Sequence, residues 1–342
     1  ATGTDAGWAA PSDLSGTLNG AGASSQAAAM QAWIAGFQQQ NPEGTVNYDP
    51  VGSGGGRETF LGGGVAFAGS DEYLNDEELG EAQERCAGDS GAVDLVHYIS
   101  PIAVAYNLPM IDGQIQLTPE AIGGMFAGDI TNWNAPEIQE SNPDLELPDL
   151  TINPVHRSDD SGTTANFTDY LATTAPDAWP HGVIETWPTE AGGEGAQGTS
   201  GVVQAVTAGE GSVGYADASQ VADLGTAAVQ VGEEFVEYSP EAAAQVLEIS
   251  DFAEGRPEGD FAFELARDTA ESGVYPIVLV SYHIVCQEYE DQQTADLVTA
   301  FMNYIGSEEG QQAAAEAAGS APISDGLRDR QSEVVNSISV AG

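Results

Sequence analysis

Apolar positions along the chain recur at two different spacings. Met30, Trp33, Ile34 and Phe37 lie at the intervals of one helix face, whereas residues 45–51 alternate as a strand does. Stretches of these two kinds follow one another along the chain, separated by turns rich in glycine, serine and proline. This alternation predicts an α/β protein whose strands pair mostly in parallel.

Two extended runs are longer than ordinary strands. They cover residues 93–107 and 274–286, and a strand of such length can leave one domain and enter another. We therefore predict two α/β lobes joined by a two-strand hinge. Lobe 1 comprises residues 1–103 with 279–342, and lobe 2 comprises residues 104–278.

One stretch, residues 156–164, concentrates polar chemistry between an extended segment and a helix-like one. Its sequence is His-Arg-Ser-Asp-Asp-Ser-Gly-Thr-Thr. The first turn of a helix has N–H groups without helical partners and a partial positive charge, and Arg157 adds a forked, permanently charged donor. The stretch therefore predicts an oxyanion site. A capped helix beside a surface Asp–Arg pair is the alternative interpretation.

Three further turns follow predicted strands of lobe 1, at residues 19–25, 52–57 and 70–71. The first lacks the third glycine of a dinucleotide-binding loop, and the second cannot be a Walker A loop because the chain contains no lysine. Asp71 and the acidic residues after it do not match EF-hand spacing, so no metal is predicted. Since turns at the carboxyl ends of strands line the ligand crevice of α/β sheets, we expect a ligand in a cleft.

Charge limits the possible partners. The chain has 54 acidic residues against 7 basic ones, all of them arginine, and a formal net charge of −47. Such a balance argues against nucleic acid and anionic membrane surfaces, and no apolar run is long enough to span a bilayer. Residues 1–16 predict a tail. Since no targeting segment precedes it, we expect a protein that is either cytosolic or already processed.

The two cysteines, Cys86 and Cys286, are too far apart in the sequence for a CxxC metal or redox motif. They could form one long-range disulfide, which would imply an oxidising compartment, or they could be two buried thiols. The polar surroundings of Cys86 favour the disulfide, because a lone thiol has little reason to lie there.

Several motifs, taken in order, resemble the phosphate-binding proteins of bacterial phosphate ABC transporters. The resemblance covers most of the chain and rests on residues 18–24, 46–48 with 52–56, 70–71 with 74–77, 126–133, 157–163 and 275–277. Of these, the Arg-Ser-Asp-Asp-Ser-Gly-Thr run of 157–163 is the most specific. The resemblance implies a type II periplasmic-binding-protein fold, two α/β lobes with the ligand in the cleft.

The resemblance also implies roles for individual residues. Hydrogen bonds to phosphate would come from Ser24, the backbone N–H of Ser25, Ser53, Ser161, Gly162 and Thr163. Arg157 would supply a charge-assisted fork that Asp159 holds in place. Asp71 would accept a hydrogen bond from the proton that phosphate retains. No cofactor and no catalytic residue is implied, so we expect a receptor and not an enzyme.

The chain departs from the family at two positions. Ser25 stands where relatives have an aromatic residue, so only its backbone role carries over, and Asp160 stands where many relatives have glycine. Relatives in Gram-positive actinobacteria are lipid-anchored outside the cell and carry a cysteine in a context similar to residues 284–286. The resemblance therefore implies a Cys86–Cys286 disulfide. It also implies an extracytoplasmic, lipid-anchored monomer that works with a membrane permease.

Two other functions compete with phosphate binding. Asp71 argues against sulfate, which has no proton to offer a buried carboxylate, but arsenate keeps a proton and is an alternative ligand. A phosphate-ester hydrolase is the second alternative, with His97, His156, His181 and His283 as candidate bases. Their sequence contexts match neither a Gly-x-Ser-x-Gly elbow nor an H-E-x-x-H helix. We expect His156 to be a strand residue and His283 a core residue.

Overall fold

A computed structural model of the chain describes Pro11 and residues 14–342, and the predicted tail at residues 1–10, 12 and 13 lies outside the described residues. The strands, in chain order, are β1 Gly16–Gly22, β2 Gly44–Asp49, β3 Phe67–Ser70, β4 Ala92–Tyr106, β5 Gln116–Leu117, β6 Asn153–Arg157, β7 Glu194–Ala196, β8 Ser212–Asp217, β9 Gly225–Thr226, β10 Ala228–Val231, β11 Glu234–Val236, β12 Asp251–Phe252, β13 Phe263–Glu264, β14 Val278–Cys286, β15 Glu288–Tyr289 and β16 Ser339–Val340. The helices are α1 Ala27–Gln40, α2 Ser53–Leu61, α3 Asp76–Arg85, α4 Pro119–Ala127, α5 Pro136–Gln139, α6 Gly162–Thr174, α7 Gly198–Ala208, α8 Pro240–Glu248, α9 Gln292–Gly306, α10 Glu308–Ala318 and α11 Asp325–Asn336.

The chain divides into two compact units. Unit 1 contains the described residues up to Ile99, together with Phe252–Glu264 and Val280–Gly342, and unit 2 contains Ser100–Asp251 with Leu265–Leu279. β4 and β14 each continue from one unit into the other. They are the two long extended runs of the sequence.

The segment Phe252–Glu264 belongs to unit 1, whereas the predicted boundaries assign it to lobe 2. The N–H of Asp94 donates to Oδ1 of Asp260 over 2.8 Å. The N–H of Phe263 donates to the hydroxyl of Tyr282 over 2.9 Å. These hydrogen bonds join residues that are far apart in sequence, so no local pattern indicates where the segment packs.

The sheet of unit 1 is built around β1, which pairs in parallel with β2 and with β3. β3 pairs with β14 in the antiparallel sense. The predicted apolar face of α1 is confirmed, because Met30, Trp33 and Phe37 are buried. The ring of Phe37 lies 5.1 Å from that of Phe301 in α9, and the indole N–H of Trp33 donates to the carbonyl of Gly310 in α10 over 2.8 Å.

In unit 2, β8 lies between β4, which is antiparallel to it, and β6, which is parallel to it and to β7. Phe126 of α4, Phe167 of α6 and Tyr215 of β8 pack their rings together with centroids 4.5–5.8 Å apart. The α/β class is thus confirmed. Parallel pairing holds for β1 to β3 and for β6 to β8, whereas the strands that continue between units run antiparallel to β3 and β8.

One local prediction is wrong, and one helix was not predicted. The sequence favours Ser24 or Ser25 as the cap of α1, because serine often precedes a helix, but the helix follows Gln26, which makes no side-chain capping hydrogen bond. The hydroxyl of Ser25 donates to the Asp71 carboxylate instead. The terminal helix α11 is not anticipated, because its sequence is mostly polar and few of its residues are buried.

The predicted disulfide is confirmed. Cys86 at the end of α3 is bonded to Cys286 at the end of β14, with Cα atoms 5.5 Å apart and a sequence separation of 200 residues. Both cysteines lie in unit 1. Because the bond closes a long loop, it removes much conformational freedom from the unfolded chain.

We expect reduction of this bond, or a Cys86→Ser/Cys286→Ser double variant, to lower the free energy of unfolding by about 2–5 kcal/mol. Denaturant titrations with and without reductant measure the loss. Thiol titration of the denatured, unreduced protein should find no reactive thiol. Two reactive thiols, or identical unfolding curves for the reduced and oxidised proteins, would contradict this expectation.

Candidate functional site

Three of the predicted ligand-binding residues of unit 1 meet directly. The hydroxyl of Ser25 donates to both carboxylate oxygens of Asp71, over 2.8 and 2.9 Å. The N–H of Asp71 donates to the hydroxyl oxygen of Ser53 over 2.9 Å. All three residues are buried, as is the neighbouring Ser24. The ends of β1 and β3 and the first residue of α2 therefore meet around one carboxylate.

Glycines allow this close approach. Gly22, at the end of β1, has a φ of +149°, and a Cβ added to it would lie 1.9 Å from the carbonyl oxygen of Gly69 in β3. A Cβ on Gly56 of α2 would lie 2.3 Å from the Cα of Gly22. Larger residues at these positions would push the two strands and the helix apart. The glycine-rich turns of the sequence thus have a steric reason as well as a conformational one.

A residue that the sequence analysis did not select, Arg57, lies on α2 beside this group. Its Nε donates to Glu78 over 3.0 Å, and its Nη1 donates to the hydroxyl of Ser70 over 3.0 Å. The arginine is buried. The signal available in the sequence was the rarity of basic residues, since the chain has only seven and all of them are arginine.

In unit 2, Arg157 is buried and forms a two-point contact with Asp159. Nε donates to Oδ1 over 2.7 Å and Nη2 to Oδ2 over 2.5 Å. The N–H of Gly198 adds a bond of 3.2 Å to Oδ1. Burial alone raises the pKa of Asp159, but the hydrogen bonds and charge of Arg157 outweigh it and hold the pKa below its usual value. Asp159 thus holds the guanidinium at two points, and its role in orienting Arg157 toward a ligand stays a prediction.

The N-terminus of α6 carries the other predicted residues of unit 2. Ser161 precedes the helix, and its hydroxyl accepts a hydrogen bond from the N–H of Thr164 over 3.1 Å. Gly162 and Thr163 are the first two residues of the helix and are buried. A hydroxyl that accepts one bond retains its own proton for donation. Amide and hydroxyl donors therefore gather at the positive end of this helix.

Tyr215 connects Arg157 to α6, a role that the sequence did not indicate. Its hydroxyl accepts the N–H of Arg157 over 3.0 Å and shares a hydrogen bond of 2.6 Å with the hydroxyl of Thr164. Burial raises the pKa of Tyr215 to about 12, although its hydrogen bonds to Arg157 and Thr164 oppose this shift. The phenol therefore stays neutral near neutral pH.

Asp160, which stands where many relatives have glycine, is exposed. Its carboxylate accepts a hydrogen bond from the hydroxyl of Thr186 over 2.5 Å. Asp160 is thus engaged at the protein surface. Its bond to Thr186 differs from the contact that Asp159 makes with Arg157.

The histidines occupy structural positions. His156 lies in β6, and its ring stacks on Trp187 with centroids 4.7 Å apart. His97 and His283 are buried and share a hydrogen bond of 2.9 Å between their Nδ1 atoms. Burial lowers the pKa of His97 to about 3 and, together with the charge of His97, lowers that of His283. The prediction that His283 is a core residue is confirmed.

The described residues contain neither a metal-binding cluster of acidic, histidine or cysteine side chains nor a membrane-spanning helix. Within the described part of the chain, no group of three or more His, Cys, Asp or Glu residues is arranged to hold a metal ion. No helix among residues 14–342 has the length and apolar character needed to cross a bilayer.

The chain is similar in sequence to known proteins over most of its length. A sequence model of the PBP superfamily domain matches residues 9–309. The phosphate-binding protein PstS 3 of Mycobacterium tuberculosis is 35% identical over 333 residues, which cover 94% of this chain and 86% of that protein. The PstS 3 of Mycobacterium leprae is 34% identical over 332 residues, covering 94% and 87%.

Solved structures share the fold. A high-affinity periplasmic phosphate-binding protein, PfluDING, determined with bound phosphate, superimposes with a TM-score of 0.72 at 21% identity over 95% of this chain and 99% of that one. A phosphate-binding protein from Stenotrophomonas maltophilia gives a TM-score of 0.67 at 20% identity, with 92% of each chain covered. The fold is the type II periplasmic-binding-protein fold, as predicted, and the chain belongs to the PBP superfamily and, within it, to the PstS family of phosphate-binding proteins.

Proposed function

We propose that this protein captures inorganic phosphate outside the cytoplasm and delivers it to the membrane permease of a phosphate ABC transporter. The observation that carries the proposal is the buried Asp71, whose carboxylate accepts from the Ser25 hydroxyl and whose N–H donates to Ser53. The mycobacterial relatives are named phosphate-binding proteins, and the PfluDING structure contains phosphate. The donors predicted by resemblance are present in both units.

Arg157 and the N-terminus of α6 suit the charge of phosphate. The contact with Asp159 occupies the Nε–Nη2 edge of the guanidinium, so an anion would use the Nη1 side. Ser161, Gly162 and Thr163 would add hydroxyl and amide donors at the positive end of α6. With a net charge of −47, the protein repels anions at long range. Salt screens this repulsion beyond about 8 Å, and short-range donors therefore supply the affinity.

Asp71 is the proposed selectivity filter. Near neutral pH phosphate keeps a proton and can donate it in a hydrogen bond to a carboxylate, whereas sulfate has none. Sulfate would therefore leave two negatively charged groups facing each other away from water, at a cost of several kcal/mol or about 10³-fold in affinity. Arsenate resembles phosphate in this respect and is the alternative ligand.

We propose a receptor rather than a hydrolase. A base for hydrolysis must reach a nucleophile or a water at the substrate. His97 and His283 instead bond to each other, and His156 stacks on Trp187. The Cys86–Cys286 disulfide suits an oxidising compartment. Together with the family resemblance, it supports an extracytoplasmic location with a lipid anchor and function as a monomer.

The first experiment is calorimetric titration of phosphate, sulfate and arsenate into protein stripped of ligand by unfolding and refolding. We expect one phosphate per chain, little heat from sulfate, and no release of nitrophenol from p-nitrophenyl phosphate by the same preparation. If correctly refolded protein does not bind phosphate, the receptor proposal fails. If arsenate binds more tightly than phosphate, the ligand assignment changes. Ester turnover would favour the hydrolase.

Asp71→Asn should relax the preference for phosphate over sulfate by about 10²-fold or more, since an amide can donate to an unprotonated oxyanion. Competition titrations of the two anions measure this ratio. Asp49→Asn, which removes an equal charge from an exposed position of unit 1, is the matched control. If Asp71→Asn leaves the selectivity unchanged, Asp71 is not the filter.

Arg157→Ala should weaken phosphate binding by about 2–5 kcal/mol. Because the single change leaves Asp159 without its partner, the double variant Arg157→Ala/Asp159→Asn separates loss of the cation from exposure of the carboxylate. Arg328→Ala, which breaks an exposed ion pair with Asp325, is the control. A dissociation constant close to the wild-type value in both Arg157 variants would remove this residue from the site.

A further inference from the structure

Arg57 occupies an unusual position for a cation. It lies four residues after Ser53 on α2, and its side chain is 8% exposed. Removing a guanidinium from water is costly unless the charge is paired and its donors are satisfied. Arg57 is paired with Glu78 over 3.0 Å and also reaches the hydroxyl of Ser70 over 3.0 Å. The second contact brings the cation to the residue that precedes Asp71.

The Ser70 hydroxyl spans the turn that contains Asp71. It donates to the carbonyl of Glu72 over 2.5 Å and accepts the N–H of Glu72 over 3.2 Å. The residues before and after Asp71 are thus tied to each other, and Arg57 is bonded to the hydroxyl that ties them. Within this turn the N–H of Asp71 reaches Ser53, and its carboxylate accepts from Ser25.

The charges around Asp71 give Arg57 an electrostatic effect in addition to its structural one. Ser25 and Ser53 are neutral donors and acceptors, while Glu72 and Glu78 add negative charge to the same region. Burial, followed by the charges of Asp71 and Asp49, raises the pKa of Tyr48 well above its usual value, so that phenol also stays neutral. Arg57 contacts this turn through Ser70, and Arg256 lies just beyond it, with its guanidinium 4.8 Å from the ring centroid of Tyr73.

We propose that Arg57 is a positioning residue for anion selectivity, which fixes the Asp71 turn and keeps its carboxylate ionised. This inference rests on the proposed phosphate-receptor function. A nearby positive charge favours the ionised form of a carboxyl group. An ionised Asp71 accepts a hydrogen bond from the protonated oxygen of phosphate and repels sulfate, whereas a protonated Asp71 could donate to sulfate. Arg57 would therefore determine which anions the site accepts without itself touching them.

This role differs from a purely structural one in its effect on two ligands. Loss of packing in unit 1 should weaken phosphate and sulfate alike. Loss of the positive charge should weaken phosphate but allow sulfate to bind better, most strongly at mildly acidic pH where Asp71 would take up a proton. The ratio of the two dissociation constants is therefore the informative quantity.

The test is Arg57→Gln, titrated with phosphate and with sulfate at mildly acidic and mildly alkaline pH. We expect the sulfate-to-phosphate ratio of dissociation constants to fall by about tenfold, the effect of one pKa unit, with the larger change at acidic pH. Arg57→Lys keeps the charge and should restore most of the selectivity. Arg85→Gln is the matched control, because Arg85 is another arginine of unit 1 with a hydrogen-bonded guanidinium, and its partners are the carbonyls of Phe60 and Val65.

An unchanged ratio in folded Arg57→Gln, an equal loss for both anions, or the same shift in Arg85→Gln would overturn the inference. If Arg57→Gln does not fold, Glu78→Gln replaces it, since glutamine can preserve the capping box of α3. That variant removes a negative charge beside Arg57, so selectivity should hold or rise, and a fall would contradict the proposal. Wild-type protein is titrated in parallel: its failure to bind phosphate would refute the receptor function itself.

Discussion

The close backbone contact at Gly22 is the constraint on which the ligand-binding part of unit 1 depends. At this residue β1 approaches the carbonyl of Gly69 in β3 and the helix residue Gly56 more closely than any side chain would allow. The contact brings Ser25, at the end of one strand, to Asp71, at the end of another. A carboxylate is thereby buried beside the hydroxyls of Ser25 and Ser53, and in the proposed receptor this burial lets its charge state determine which anions bind.

The seven arginines show how a lysine-free, strongly acidic chain uses its few cations. Arg57, Arg157 and Arg267 are buried, and each is held by a carboxylate. Arg267 also donates to the carbonyl of Val278 over 2.9 Å and to the Asn166 side chain of α6, so it anchors the helix that Ser161 caps. Arginine suits such positions because its planar fork can satisfy several acceptors at once. Three of the seven cations are therefore fixed in the interior, and the charged residues of the surface are mostly acidic.

The features that could be predicted from sequence are those that local patterns determine. The apolar spacing of α1 gave its buried face, and the two long apolar runs gave β4 and β14. Contacts between distant segments could not be read in this way. The bond from Ser25 to Asp71, the link through Tyr215 and the packing of residues 252–264 in unit 1 depend on which strands become neighbours. The site residues themselves came from family resemblance, and their roles in binding stay predictions.

The long disulfide has a consequence for the order in which the protein can be made. Unit 1 cannot fold completely without Val280–Gly342, because β3 pairs with β14 and Cys86 forms its disulfide with Cys286. Unit 2 needs nothing beyond Leu279, and domains generally fold as units during synthesis. Unit 1, whose synthesis begins first, is therefore the last to complete its folding. Until the C-terminal part of the chain has emerged, Cys86 is an unpaired thiol in an incomplete domain. During this interval it can form a disulfide with a wrong thiol.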